Sequence, residues 1–421
     1  MNTSECMDHS ENGSAFLKKS DLIWTIFANI ITITAAVLIG LFMPALTDYE
    51  TYAGYRGYTL FVAYVQFVQL GFVNGMSLRY GNLDKNKLPA GLFRSYTRFL
   101  ILSQFFIILL AAPVLYAAKG FKLTPFLFVI LTILPDNMRL YYGAVYANTG
   151  RFKENALCQI IYRLSLLICF AALFITKKNG WIYYLGCTLI LNLLSFLTYI
   201  LVDPSLTFGR AARERGFFSE VKENIRRGAP VMFGEQLGIL MLGADSMFAL
   251  FLFDSRQFSF YSFAVYVVVT AYTVLNAANA VIFPYLKRLD KKDMGSRYSI
   301  LKKMSLGMFI ISVPCFIPAR LLINRFMGNY AGALPYLDIL MFTLLFRLLG
   351  EMACANAMKA MDMEKEFFYS NLAACILAFA ADALAYALWK DLRMIAAASV
   401  LVYAVWFFIC DMKIRRRLQK I

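Results

Sequence analysis

About twelve apolar runs, each long enough to cross a bilayer as a helix, follow one another down this chain. A hydrocarbon core of about 30 Å takes about 20 residues of helix, and nothing else in the sequence limits the fold so strongly. The runs fall near 22–44, 57–78, 97–118, 123–146, 156–176, 181–202, 230–253, 258–284, 303–324, 333–356, 367–388 and 393–411. The predicted class is an all-α polytopic membrane protein. The first run follows a polar tail and is too long for a signal-peptide core, so it reads as a retained span.

Charge placement supports that reading and rules out others. Hydrophobic residues make up 60% of the chain and charged residues 16%, against about 45–50% and about 25% in a soluble domain. Intrinsic disorder, a small disulfide scaffold and an ordinary cytosolic enzyme are excluded. The net charge of +16 could suggest nucleic acid, but Lys and Arg lie mostly in short connectors, where they orient a membrane chain. The connectors on the side of both termini hold 29 basic residues and the opposite ones ten, counting Arg56 among the ten. The excess predicts cytoplasmic termini. The eight cysteines form no CxxC pair and His9 stands alone in the tail, so no metal site is expected. No phosphate-cradling GxxxxGK[ST] motif occurs either.

The two halves of the chain resemble each other. Asp21 to Arg79 reads helix, aromatic connector, helix, basic end, and Ala229 to Lys287 repeats this about 208 residues later. Lys153 and Glu154 after helix four match Lys365 and Glu366 after helix ten. Such an offset suggests duplication, and six helices per half make the lobes relate by an axis along the membrane normal. The expected organisation is an N-tail 1–21, an N-lobe 22–202, a basic linker 203–229, a C-lobe 230–411 and a basic C-tail 412–421. Two six-helix lobes would then enclose a central cavity.

Four stretches carry a family resemblance: "FVQLGFVNGMSLRYGN" closing helix two, "ANTGRFKE" after helix four, "DSRQFSFYSFAVYVVV" opening helix eight and "VIFPYLKR" closing it. With twelve spans in two halves, the chain resembles the polysaccharide flippases of the multidrug/oligosaccharidyl-lipid/polysaccharide exporter superfamily. The resemblance implies alternating-access movement of O-antigen or capsule repeat units on a polyprenyl diphosphate across the bacterial inner membrane. It also implies membrane lipids as surroundings, a polysaccharide polymerase and glycosyltransferases as partners, no prosthetic group, and resetting by Na⁺ or H⁺. Helix one, "LIWTIFANIITITAAVLIGLF", has no basic residue, so no phosphate contact is carried over to it.

Charges inside hydrocarbon are costly and mark candidate sites. Asp136 and Arg139 share a face of helix four beside Pro135, and Arg163 lies on helix five at similar depth. Together they either hold a phosphate or form a closed pair locking two helices. Arg347 on helix ten stands 208 residues after Arg139, with Glu351 at i+4 as the competing partner. For coupling, helix seven offers Asp245 and Glu235, the latter near the cytoplasmic interface, and Asp382 lies on helix eleven. Gln66, Gln69 and Asn74 on helix two, and Tyr272, Asn276 and Asn279 on helix eight, either meet sugar hydroxyls and rings or simply join helices. Arg79 either meets the diphosphate or snorkels to headgroups. The rival reading is a cation-coupled small-molecule or drug antiporter of the same superfamily. A polymerase or ligase would need a long extracytoplasmic loop that is absent from the sequence.

Overall fold

The computed structural model describes residues 19–81, 88–117, 123–210, 216–276 and 294–419. Among these the chain is helical and contains no strand. The N-lobe comprises α1 (Lys19–Leu46), α2 (Tyr49–Val62), α3 (Phe72–Tyr80), α4 (Ala90–Ala117), α5 (Leu123–Asn148), α6 (Phe152–Ile175) and α7 (Trp181–Val202). The C-lobe comprises α8 (Phe217–Leu252), α9 (Ser255–Asn276), α10 (Met294–Phe326), α11 (Leu334–Arg347), α12 (Asn356–Ala360), α13 (Glu364–Trp389) and α14 (Leu392–Leu418). A π-helical stretch, Leu348–Ala355, joins α11 to α12.

Among the described residues ten helices are long and apolar enough to cross a membrane, and the bent pair α2–α3 makes an eleventh. The more polar α5, which carries Asp136 and Arg139, lies where the fourth run was expected, consistent with about twelve crossings. Large apolar side chains such as Leu102, Ile168 and Ile311 stand exposed, as suits helices bathed in lipid. This is a multi-pass membrane protein.

Helix two departs from the sequence reading. It begins at Tyr49, not near 57, because the Asp48 carboxylate caps it by accepting the Thr51 N–H at 2.7 Å. It then breaks: a 3-10 turn, Val65–Gln69, leads through Leu70 and Gly71, both at positive φ, into α3 at 61° to the first half. Helix seven also begins early, at Phe217, so much of the segment expected as linker is helix. The segment 277–293, with Asn279 and "VIFPYLKR", lies outside the described residues.

Within the N-lobe α1 packs on α6, and α7 on both α5 and α6; in the C-lobe α13 packs on α8 and α14, and α11 on α9 and α14. Between lobes, α3 meets α8 while α2 and α1 meet α9. These two seams close opposite ends of the molecule. At the basic end α3 and α8 touch backbone to backbone: a Cβ on Gly228 would sit 2.0 Å from the Gly71 carbonyl oxygen, and one on Gly75 1.8 Å from that of Asn224. Arg79 spans the same seam to Glu220 at 2.6 Å and to Asn224 at 3.0 Å. At the other end the Tyr49 hydroxyl donates to the Asn329 carbonyl, and the Tyr330 ring lies 5.4–5.8 Å from those of Tyr49, Tyr52, Phe260 and Phe263.

Beside the basic end Arg151 donates to Asp203, both nearly buried, and its guanidinium lies 4.0 Å from the Tyr146 ring. Burial pushes the Asp203 carboxyl up, but hydrogen bonds from Ser205 and Arg151 outweigh it and hold the group below the usual carboxylate range. A depressed folded value means the stabilisation is present above the unfolded pKa of about 3.9 and lost as pH falls through the folded one. Thermal melts should therefore show acid destabilisation below about pH 4 that Asp203→Asn flattens. Arg151→Ala should cost about 3–5 kcal/mol at neutral pH, since it strands a buried carboxylate.

Candidate functional site

A cavity of about 160 Å³ lies where α1, α2, α6 and α9 meet, between the lobes. The face of α2 that carries Tyr52, Tyr55, Arg56 and Thr59 forms one wall, and Arg163 on α6 another. The C-lobe supplies Tyr266, whose hydroxyl donates to the Ala36 carbonyl and whose ring lies where a Cβ on Gly40 would stand. Glycine at 40 is what lets this ring close against α1.

Three guanidiniums gather at the cavity and behind it. Arg56 lies over the Tyr266 ring at 5.2 Å, while Arg163 and Arg139 flank the Tyr162 ring at 5.2 and 5.3 Å. Aromatic faces hold cations in place without cancelling their charge. Arg139 is neutralised by Asp136 at 2.6 Å, one turn away on α5. Arg56 and Arg163 meet no carboxylate within ion-pair distance among the described residues, and the Arg56 Nε is buried without a hydrogen-bond partner. The cluster thus carries about two uncompensated positive charges. Such charges at membrane depth are costly unless water or an anion reaches them, and guanidinium forks match phosphate oxygens.

The other candidates are distributed as follows. Arg347 is closed upon itself in the C-lobe, bonded to Glu351 at 2.8 Å and stacked on Tyr272 at 3.8 Å, while the Tyr272 hydroxyl donates to Glu351. Gln69 donates to Asn137 at 2.6 Å, and Asn137 in turn donates to the Val65 carbonyl, so this pair supports the break in helix two. Gln236 reaches Gln66 across the lobes at 3.3 Å. Arg79 sits in the basic-end seam. Asn276 ends α9 and is engaged by a neighbour.

A second buried group occupies the C-lobe. Asp245 on α8 accepts hydrogen bonds from Tyr261 at 2.7 Å, Ser246 and, across to α14, Ser399 at 3.1 Å. Asp382 on α13 is 1% exposed, and its Oδ1 meets no donor. No Lys or Arg pairs with either acid among the described residues. Glu235, about 15 Å along α8 from Asp245, is exposed and faces Lys359 at 3.7 Å. The two helix-seven acids are not brought together.

Sequence reasoning missed Arg56, which it counted as a connector cation. The signal was present: Asp48 and Glu50 ahead of an aromatic run mark a helix start.

The fold and site define a two-lobed helical membrane protein with a cationic cavity between its lobes. No family model matches the sequence, and no curated protein matches it. Among solved structures the chain is similar to the lipid II flippase MurJ in an inward closed conformation, with TM-score 0.68 and 12% identity over 94% of this chain and 88% of that one. It is also similar to an inward-facing multidrug resistance MATE family transporter of the MOP superfamily, with TM-score 0.66 and 12% identity over 95% and 93%. A Vibrio cholerae MATE transporter, VcmN, gives TM-score 0.59 and 13% identity over 96% of each chain. At these identities the likeness is one of fold, and the neighbours are transporters rather than enzymes.

Proposed function

We propose that the protein is a flippase that moves polyprenyl-diphosphate-linked oligosaccharide repeat units across the bacterial inner membrane, for cell-surface polysaccharide synthesis. The observation that carries this reading is the pair of uncompensated arginines, Arg56 and Arg163, at a cavity between the lobes. The lipid tail of such a substrate is already soluble in the bilayer; the charged head is what needs a polar path. A cavity of about 160 Å³ suits a phosphate rather than a whole sugar head, so the lobes separate to load the oligosaccharide. No covalent step is involved, and the upstream glycosyltransferases and downstream polymerase of the pathway are the proposed partners.

Purified protein in liposomes, given a fluorescent polyprenyl-diphosphate sugar, should speed the appearance of the head group on the far leaflet. A rate equal to that of empty liposomes would overturn the reading. The rival, a cation-coupled drug antiporter, is favoured by the MATE-like fold. Cationic drugs, though, would meet like charge at Arg56 and Arg163, so accelerated transport of an organic cation with no flipping would decide for the antiporter.

For resetting, Asp245 and Asp382 form the proposed coupling site for Na⁺ or H⁺, because two buried acids without a basic partner among the described residues need a proton or a metal cation. Initial flipping rates measured with and without a Na⁺ or pH gradient should differ in the wild type. Asp382→Asn should remove most of that difference while leaving the ungraded rate, and an unchanged gradient response would show that coupling lies elsewhere.

A further inference from the structure

On the phosphate-holding role proposed above, we infer that the Tyr52 hydroxyl is a further, uncharged donor of the same site and hydrogen-bonds a phosphoryl oxygen of the head group. Tyr52 lines the arginine cavity and stands one turn before Arg56 on the same face of α2. It is 1% exposed.

The two ends of this side chain have different surroundings. Its ring belongs to the aromatic seam, edge-on to Phe263 at 6.5 Å and to Tyr330 at 5.8 Å. Its hydroxyl meets no hydrogen-bond partner among the described residues. Ser262 on α9 comes near, but it gives its own proton to the Ser259 carbonyl at 3.3 Å. The Tyr52 oxygen also lies within electrostatic reach of Arg56 and Tyr266, two other walls of the cavity.

A buried phenol without a partner costs stability, and phenylalanine would fill the same space without that cost. The Arg56 Nε is orphaned in the same way. Two unused donors, on successive turns of one helix, therefore belong to one cavity that already holds uncompensated positive charge. Donors beside guanidiniums call for an anionic acceptor, and a phosphoryl oxygen offers lone pairs, charge and no competing proton. An organic cation would satisfy neither group.

The test uses the full chain in detergent, with farnesyl diphosphate as the probe and farnesol, the same chain without phosphates, as the control. Calorimetric titration reads affinity, and the ligand-free thermal midpoint reads stability. Tyr52→Phe should weaken farnesyl diphosphate binding about 10- to 100-fold, the range for a hydrogen bond to a charged group. It should leave farnesol binding unchanged and melt at or above the wild-type midpoint, because only an unsatisfied hydroxyl is removed. Ser262→Ala should bind the diphosphate like the wild type. Unchanged diphosphate affinity in Tyr52→Phe, an equal loss for farnesol, a ligand-free midpoint below wild type, or the same loss in Ser262→Ala would each overturn the inference and leave the arginines' role standing. Wild-type protein that does not bind the diphosphate would overturn that role, and the Tyr52 contact with it.

Discussion

Arg163→Ala and Arg56→Ala should each cut flipping of a polyprenyl-diphosphate sugar about 10- to 100-fold, and the double variant should reduce it to the rate of empty liposomes. The magnitude follows from a charge-assisted hydrogen bond contributing about 1.5–3 kcal/mol. Neither arginine has an acidic partner to strand among the described residues, so the variants should insert and melt like the wild type. Arg139→Ala differs: it leaves Asp136 buried without its 2.6 Å partner, and its main effect should be on stability, by about 3–5 kcal/mol. Arg347→Ala would likewise orphan Glu351. The spacing of the sequence directs a test to Arg139 and Arg347, and the geometry redirects it to Arg56 and Arg163. Full flipping in the double variant, with protein inserted and folded, would remove the phosphate-holding role.

Gly228→Val should pry the lobes apart at the basic end. The new Cβ would meet the Gly71 carbonyl oxygen at 2.0 Å and the Gly75 nitrogen at 2.2 Å. Both are backbone atoms and cannot swing away as a side chain would. Overpacking of this kind costs about 1–3 kcal/mol, which shifts a two-state equilibrium about 5- to 150-fold toward the form that relieves it. Spin labels at positions 77 on α3 and 222 on α8, in a cysteine-free background, should report a longer distance and a larger open population. An unchanged distance distribution in a folded Gly228→Val protein would show that this contact does not set the closure.

Much of the architecture was legible because the bilayer simplifies the problem. Length and polarity alone mark about twelve crossings, and among the described residues the structure has ten such helices, an eleventh bent at Leu70 and Gly71, and the more polar α5 where the fourth run was expected. The i,i+3 and i,i+4 spacings also displayed the Asp136–Arg139 and Arg347–Glu351 pairs as one of two readings. What hydropathy could not show was where helices break or begin beneath polar residues. The run "YETYAGYRGYT" looks like a connector because it is polar, yet the Asp48 cap and burial of Tyr52 and Tyr58 make it helix. Arg56 was lost to the site for that reason. The kink at Leu70 and Gly71 needs the neighbouring lobe to explain it, since α8 approaches there with only glycine in the way. Single-chain periodicity carries no record of such an approach.

Neither seam opens without baring rings. Parting α3 from α8 would wet the Arg79–Glu220 pair and a strip of glycine backbone, and would also uncover Phe67, packed on Phe233, and Phe217, packed on Tyr96 and Phe99. Parting α2 from α9 would uncover Tyr52, Phe263 and Tyr330. Each aromatic side chain taken from burial into water costs about 1.5–3 kcal/mol. An empty protein should therefore rest shut at both leaflets, and work would have to be supplied, by the bound head group or by an ion, before either side opens.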